Sequence, residues 1–207
     1  MITDKKVQRA KTMYLEFLKK KNDYIKASLR ASRAGLAAGT GGNISVRLSG
    51  DRMLVKPSGI TLGEAGEDNL IITDLDGNLI EGTLKPTKET LLHGGLYRSY
   101  PQIGAIVHVH PVCSIAVANR FDKMELVTKQ MKQIMDVPVP VCKIKNNTID
   151  AAGMEMIHGL FRDCQELPCF LLEEHGLVAM GKTAVDACYI AELVEENAKV
   201  FWAVSRQ

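Results

Sequence analysis

The sequence predicts a single α/β domain, and three observations predict it. The chain has 207 residues, a length that fits one core, because domains reach roughly 200–250 residues before they divide. Apolar residues at helical spacing mark both ends of the chain, and strand-like segments alternate with further helical segments between them. Neither an internal repeat nor a low-complexity linker interrupts this order, so we expect one domain over residues 1–207.

The first half of the chain is expected to contain one or two helices followed by two strand pairs. Residues 4–36 carry apolar side chains three and four positions apart, as a helix with one buried face requires. Residues 44–48 alternate with period two, and residues 53–55 follow a short polar turn, which is typical of a hairpin. Residues 69–80 repeat this form around Asp76-Gly77.

The sequence of the second half predicts helices and strands in alternation. Helices are expected at residues 88–100, 112–119, 151–163 and 184–204, the third with Asp150 as its N-cap. Strands are expected at residues 103–109, 169–172 and 177–180. Residues 120–145 give no clear pattern, and Pro138 and Pro140 favour a loop or the edge of a sheet there.

Composition and charge exclude several classes of function. The chain is 46% hydrophobic and 24% charged with a net charge of +2, which is ordinary for a globular protein and gives no footprint for nucleic acid. No apolar run approaches the roughly 20 residues that span a bilayer. The first residues show no apolar stretch after their charges, and five cysteines form no Cys-x-x-Cys pair. We therefore expect a cytoplasmic protein without a signal peptide, with no membrane and no nucleic-acid partner.

The sharpest local signal is His108-Val109-His110 in a strand-like segment. Residues two apart on a strand project to the same face, so both imidazoles can bind one metal ion, as zinc and other borderline ions prefer. By itself, the pattern is equally compatible with two polar side chains that face solvent at the end of a strand.

Other residues supply further candidate ligands. His175 lies in Glu-Glu-His-Gly between two apolar strands, and Glu89 follows Pro-Thr-Lys at the start of a helix. A carboxylate at that position is favoured by the helix dipole and can act as a ligand, a general base or both in turn. His93 lies four residues after Glu89 on the same helix face, where we expect it to orient the carboxylate. His158 lies on an amphipathic helix and is not expected to bind metal.

A second group of residues is suited to an anion. Residues 39–43 (GTGGN) offer backbone N–H groups, the Thr40 hydroxyl and the Asn43 amide, and such turns can bind phosphate. A second turn follows at Ser58-Gly59, and Thr87-Lys88 precedes a helix. Each is also an ordinary turn by itself. The glycine spacing matches neither of the common nucleotide-binding patterns.

Taken in order, these segments resemble the class II aldolase/adducin family. The matching motifs span most of the chain after residue 35: GTGGNISVR at residues 39–47, KPSG at 56–59, KPTKETLLH at 85–93, IVHVHP at 106–111 and EEHGLVAMG at 173–181. The resemblance implies an α/β/α sandwich around a mostly antiparallel sheet. It also implies a homotetramer with active sites between subunits.

The resemblance assigns roles to the candidate residues. His108, His110 and His175 would bind one Zn²⁺ ion per subunit, with another divalent cation as an alternative, and Glu89 would complete the metal shell or act as the base. The substrate phosphate would be bound by Thr40, Asn43, Ser58, Gly59, Thr87 and Lys88. The implied activity is that of a lyase on a phosphorylated sugar: aldol cleavage of a ketose phosphate, such as L-fuculose 1-phosphate, to dihydroxyacetone phosphate and an aldehyde.

Departures from the aldolase pattern leave the substrate open. Aldolases of the family typically have two serines where this chain has Thr87-Lys88, and the Thr-Lys-Glu form resembles the 3-oxo-tetronate-4-phosphate decarboxylase branch. Residues 126–135 contain no tyrosine, and the sequence stops at Gln207 without the tail that carries another family tyrosine. Decarboxylation is the main alternative, and epimerase or dehydratase chemistry is a further one. The presence of all four candidate metal ligands argues against a non-catalytic, adducin-like module.

Overall fold

The computed structural model describes residues 4–144, 149–162 and 164–205. Six α-helices occur in these residues: α1 (Asp4–Arg33), α2 (Thr90–Ser99), α3 (Val112–Arg120), α4 (Met131–Ile134), α5 (Ala151–Leu160) and α6 (Ala184–Val204). Two short 3₁₀ turns lie at Leu62–Glu64 and Glu67–Asn69. None of the described helices is both long enough and apolar enough to span a bilayer.

A mixed sheet of nine strands forms the centre of the described structure. Within the described ranges its strands are β1 (Asn43–Leu48), β2 (Arg52–Val55), β3 (Ile71–Asp74), β4 (Leu79–Glu81), β5 (Ala105–Val109), β6 (Lys123–Met124), β7 (Val139–Cys142), β8 (Cys169–Leu172) and β9 (Gly176–Gly181). Their spatial order is β4-β3-β2-β1-β5-β9-β8-β7-β6. Every neighbouring pair is antiparallel except β7 and β8. The expectation of a mostly antiparallel sheet is thereby confirmed.

Helices cover the sheet in layers. Helix α6 packs against β9 and β5 and against α1 and α3, and its buried stripe includes Ala187, Ala191, Val194 and Ala198, at the spacing of one helix face. Helix α2 lies against β1, where its His93 and Tyr97 reach Ser45, and α5 approaches α2 through Met154. The small residues of α6 let that helix lie close to the central strands.

The observed elements follow the expected ones with local differences. The N-terminal region, where one or two helices were expected, is a single helix, and α2 begins at Thr90, so that Glu89 is its N-cap residue. Asp150 caps α5 by accepting a hydrogen bond from Gly153 N at 2.9 Å, as expected, and α5 ends at Leu160. Residue 163, the expected end of that helix, lies outside the described residues, as does Lys145. The unassigned segment contains β6, α4 and β7.

Candidate metal and active site

His108 and His110 lie where the central strand β5 ends. His108 pairs with Asn43 of β1 on one side and Val178 of β9 on the other, so its backbone is fixed from both directions. The His108 side chain is fully buried. His110 follows the last residue of β5 and donates its backbone N–H to Leu36 O at 2.9 Å. The two Nε2 atoms are 3.2 Å apart, as expected for side chains on one face of a strand.

His175 comes from the tight turn that joins β8 to β9. Glu174 in this turn adopts a φ of 58°, a conformation that costs free energy for a residue with a Cβ. Its backbone N–H donates to Asn119 Oδ1 at 2.7 Å, which holds the turn in place. His175 Nε2 then lies 3.3 Å from His108 Nε2. The turn therefore brings the third imidazole to the other two.

Glu89 faces the three histidines from the start of α2. Its Oε2 lies 3.1 Å from His108 Nε2, and its Oε1 lies 3.0 Å from His175 Nε2. Asn43 Nδ2 donates a hydrogen bond of 3.1 Å to Oε2. The Glu89 side chain is 11% exposed, so one face of the carboxylate is shielded and the other remains open to the site.

His108 and His110 are held in the neutral form. His108 Nδ1 donates to Leu177 O at 3.0 Å, which leaves the Nε2 lone pair directed at the cluster. Burial lowers the pKa of His108, and burial with the neighbouring charges of His108 and His175 lowers the pKa of His110 to about 4. Neutral imidazole is the form that binds metal.

Glu89 carries the negative charge of the site. Burial opposes the charged form of the carboxylate, but His108, His175 and Asn43 more than offset that cost and hold its pKa below the ordinary value. The carboxylate is consequently ionised at neutral pH and is able to accept a proton.

The spacing of these atoms fits a tetrahedral metal ion. Two nitrogens that each lie 2.0–2.1 Å from zinc at the tetrahedral angle are about 3.3 Å apart. The observed Nε2 separations from His108 are 3.2 Å and 3.3 Å, and His108, His110 and His175 form one possible metal-binding group. The donor set and its geometry both fit zinc.

Two glycines permit this close arrangement. A Cβ on Gly41 would lie 2.9 Å from His110 Nδ1, and a Cβ on Gly176 would lie 3.0 Å from His110 Cδ2. Contacts that short are repulsive, so a larger residue at either position would displace the His110 ring or the turn that carries it. The glycines beside the histidines thus have a packing role at the candidate metal site.

The structure brings the three candidate anion-binding segments together. Ser58 donates its backbone N–H to Lys85 O at 2.8 Å and its hydroxyl to Pro86 O at 2.9 Å, which ties the second turn to the segment before α2. Thr87 Oγ1 lies 3.5 Å from Glu89 N, at the limit of a hydrogen bond. Thr40, Gly59 and Lys88 are exposed, whereas Asn43 is buried against Glu89.

Lys56 is a site residue whose role the sequence did not reveal. Only 2% of this lysine is exposed, and Nζ donates to Thr40 O at 3.1 Å and to Pro57 O at 3.3 Å. It therefore joins the glycine-rich turn to the Ser58 turn. Burial lowers the pKa of Lys56. A lysine that directly follows the apolar run Met53–Val55 was the available signal, because long charged side chains are seldom buried without a purpose.

The expectation that His93 orients Glu89 was wrong. His93 Nδ1 shares a 2.6 Å hydrogen bond with Ser45 Oγ, and Ser45 Oγ lies 2.7 Å from Tyr97 Oη. His93 Nε2 has no hydrogen-bond partner among the described residues. Burial lowers the pKa of His93 to about 3, so the ring stays neutral. The strand β1 holds His93, which leaves Asn43 as the residue that positions the carboxylate.

His158 lies away from this cluster, as expected. It contacts Tyr100, with 3.1 Å between His158 Nδ1 and the tyrosine Oη. Its role in the described structure is to pack α5 against the end of α2.

Comparison with known proteins identifies the family. The family described as the class II aldolase and adducin N-terminal domain matches residues 22–202. The chain belongs to this family. Among curated relatives, an L-fuculose phosphate aldolase from Methanocaldococcus jannaschii is 32% identical over 180 residues, which cover 87% of this chain and 94% of that protein.

A second relative has a different activity. A 3-oxo-tetronate 4-phosphate decarboxylase from Haemophilus influenzae is 30% identical over 179 residues, covering 84% of this chain and 82% of that protein. One relative is an aldolase and the other is a decarboxylase, and both are lyases. The comparison therefore supports lyase activity without deciding between aldol cleavage and decarboxylation.

Solved class II aldolase structures share the fold. YgbL from Escherichia coli superposes with a TM-score of 0.78 at 26% identity, covering 90% of each chain. An L-fuculose 1-phosphate aldolase superposes with a TM-score of 0.76 at 27% identity, covering 90% of this chain and 86% of the other. The α/β architecture with its mostly antiparallel sheet is that of the family.

Proposed function

We propose that the protein is a zinc-dependent sugar-phosphate aldolase that cleaves a ketose phosphate, such as L-fuculose 1-phosphate, to dihydroxyacetone phosphate and an aldehyde. The observation that carries the proposal is the convergence of three histidine Nε2 atoms with the Glu89 carboxylate 3.0–3.1 Å from two of them. The similarity to L-fuculose phosphate aldolases supports the choice of substrate class.

Each site residue has a task in this reaction. A divalent ion bound by His108, His110 and His175 would supply Lewis-acid stabilisation of the negative charge that develops beside the substrate carbonyl. Glu89, held by Asn43, accepts the substrate hydroxyl proton or returns a proton to the carbon from which the aldehyde departs. Because its pKa is lowered, the carboxylate would enter the reaction in the ionised form, which can accept a proton.

The substrate phosphate would bind between the three turns. Thr40, Gly59 and Thr87 offer hydroxyl and backbone N–H groups, which bind phosphate without a full positive charge. Ser58, whose N–H and hydroxyl donate to Lys85 O and Pro86 O, would hold its turn in place beside the phosphate. Asn43 lies at the boundary between this pocket and Glu89. Binding energy from the phosphate would position the reacting carbons over the carboxylate.

Decarboxylation of a 3-oxo-tetronate 4-phosphate is the second candidate, and Lys88 favours it. Loss of CO₂ from a β-keto acid develops charge at the same place as aldol cleavage, so the same histidines and Glu89 serve either reaction. Lys88 is exposed next to Glu89 and has no ion pair among the described residues. Its ammonium group is available for the additional carboxylate of such a substrate.

The two candidates are separated by assaying both substrates with a Lys88→Ser variant. If aldol cleavage is the native reaction, L-fuculose 1-phosphate gives dihydroxyacetone phosphate, and Lys88→Ser lowers kcat/KM for both substrates by similar factors. A loss confined to the keto acid, with CO₂ as the product in the parent enzyme, would replace the aldolase proposal by the decarboxylase.

A matched control is available three residues earlier. Lys85 is exposed in the same segment, and only its backbone carbonyl is used, as the acceptor for Ser58. Lys85→Ser removes one positive charge nearby without touching the position beside Glu89. It should leave the ratio of the two activities unchanged.

We further propose a cytoplasmic homotetramer with active sites between subunits. Residues 6–16 of α1 are exposed along their whole length, including Val7, Met13, Tyr14 and Leu15, and apolar side chains of this kind are common at subunit contacts. Light scattering would then give four times the 22.7 kDa chain mass; a monomer under assay conditions would contradict the proposal.

A further inference from the structure

A second cleft, separate from the metal site, lies where β1 ends and β5 begins. It has a volume of about 960 Å³, within the range of about 300–1,000 Å³ that is typical of small-molecule sites. Its walls come from the middle of α1, the end of β1 and the start of α6. Arg47 in this cleft is four residues along β1 from Asn43, which corresponds to roughly 13 Å.

The cleft carries an excess of positive charge that its own acidic side chains do not neutralise. Five cationic and two anionic side chains line it. Both anionic side chains are already engaged: Glu16 forms an ion pair of 2.9 Å with Lys20, and Asp23 accepts from Ala184 N at 2.6 Å at the start of α6. The remaining cations are Lys19, Lys26, Arg47 and Lys182, and none of them forms an ion pair within the described ranges.

Arg47 is the fixed part of this group. Its Nε and Nη2 atoms are buried and have no hydrogen-bond partner in the described structure. The guanidinium lies over the ring of Tyr97, with 5.0 Å from Cζ to the ring centroid, so packing holds it in one orientation. An arginine charge without a carboxylate partner favours an anion at the wall that it forms.

We propose that this cleft binds a small organic phosphate with at least two negative charges, at a site distinct from the catalytic one. Lys26 and Lys182 stand on different walls, on α1 and immediately before α6, and both are exposed. Their ammonium groups would pair with phosphate oxygens from two sides while Arg47 supplies a fixed charge. The inference does not depend on the reaction that the metal site catalyses.

The test uses inorganic pyrophosphate as the probe, with binding to the full-length protein measured by equilibrium dialysis. We expect the Lys26→Ala/Lys182→Ala double variant to bind pyrophosphate about tenfold more weakly, or worse, because two charged hydrogen bonds are lost. Lys129→Ala/Lys132→Ala is the matched control. It removes the same charge from two exposed lysines that do not line the cleft, and its affinity should stay within about twofold of the parent protein.

Hydrogen exchange with mass spectrometry then locates the bound probe. Pyrophosphate should slow exchange in peptides that cover residues 182–189 of the parent protein, and this protection should disappear in the Lys26→Ala/Lys182→Ala variant. Equal affinities of the two double variants would overturn the proposal. So would protection confined to peptides that contain residues 39–43 and 85–89, because the probe would then occupy the candidate active site only.

Discussion

The chemistry of a single carboxylate decides how this site works. Glu89 has two sets of contacts: histidine Nε2 atoms at 3.0 Å and 3.1 Å, and the Asn43 amide at 3.1 Å. A side chain at that position can be a ligand in one state and a base in another. Its N-cap position on α2 fixes the backbone, and because the side chain makes no capping hydrogen bond, both carboxylate oxygens remain directed at the site.

Replacing Glu89 by Gln should lower kcat by about 10²–10⁴, the usual contribution of general acid–base catalysis, with little change in substrate affinity. The amide keeps the shape of the side chain but cannot accept the proton. Steady-state kinetics and metal analysis on the same preparation check this prediction. A variant that retains metal and full turnover would show that another group is the base.

His93 provides a prediction on stability and pH. Its folded pKa of about 3 is below the ordinary 6.5, so between these values the unfolded chain binds a proton that the folded protein does not. Unfolding free energy should therefore fall as pH decreases from 6 to 4, with His93 contributing up to about 1.4 kcal/mol per pH unit. Urea unfolding of metal-free protein should show a shallower pH dependence for His93→Asn. Parallel curves for the two proteins would contradict the prediction.

At the scale of secondary-structure elements, turns determine where the histidines meet. β5 supplies His108, the residue after it supplies His110, and the turn between β8 and β9 supplies His175. The glycine-rich turn before β1 packs closely against His110. A Cβ on Gly41 would lie 2.9 Å from His110 Nδ1 and 3.0 Å from Ala38 O.

Gly41→Ala should therefore weaken metal binding about 10–100-fold, the usual cost of disturbing a residue that orients a ligand. The added methyl group would sit 2.9 Å from His110 Nδ1. Competition with a chromogenic chelator measures the affinity. Gly66→Ala is the control, since its nearest atom would be 3.8 Å away and its metal affinity should match the parent. A Gly41→Ala protein with parental affinity would show that the turn adjusts freely.

Helical periodicity predicted the long helix α6, and an apolar run predicted β8 at residues 169–172, whereas the short elements within residues 120–145 were not predicted. α6 was expected at residues 184–204 and has those bounds, because a long amphipathic pattern averages over local noise. β6, α4 and β7 contain two to four residues each, too few to show a period. Their formation depends on tertiary contacts, such as Asn197 of α6 accepting hydrogen bonds from Val127 N and Thr128 N.

The sequence also predicted some residues of the candidate site and missed others. The His-x-His pattern, Glu89 and His175 were visible because metal ligands are few residue types at recognisable spacing. Lys56, Ser45 and Tyr97 were not, because their roles depend on contacts between segments far apart in sequence. His93 was assigned to Glu89 from helix spacing alone, whereas β1 provides the closer partner.

At the scale of the whole molecule, the fold brings four side chains from three segments to one place: the end of β5, the turn between β8 and β9, and the start of α2. The central claim is that this place is a metal site. Removing His110 should therefore abolish metal binding without unfolding the protein, since this side chain is only partly buried and is not a member of the hydrophobic core.

The most direct measurement is the zinc content of purified protein by mass spectrometry, for the parent, for His110→Ala and for His158→Ala. We predict about one ion per chain in the parent and in His158→Ala, whose histidine lies by Tyr100 and outside the cluster. His110→Ala should contain almost none while its circular dichroism spectrum stays that of the folded parent. Full metal occupancy in a folded His110→Ala protein would contradict the account.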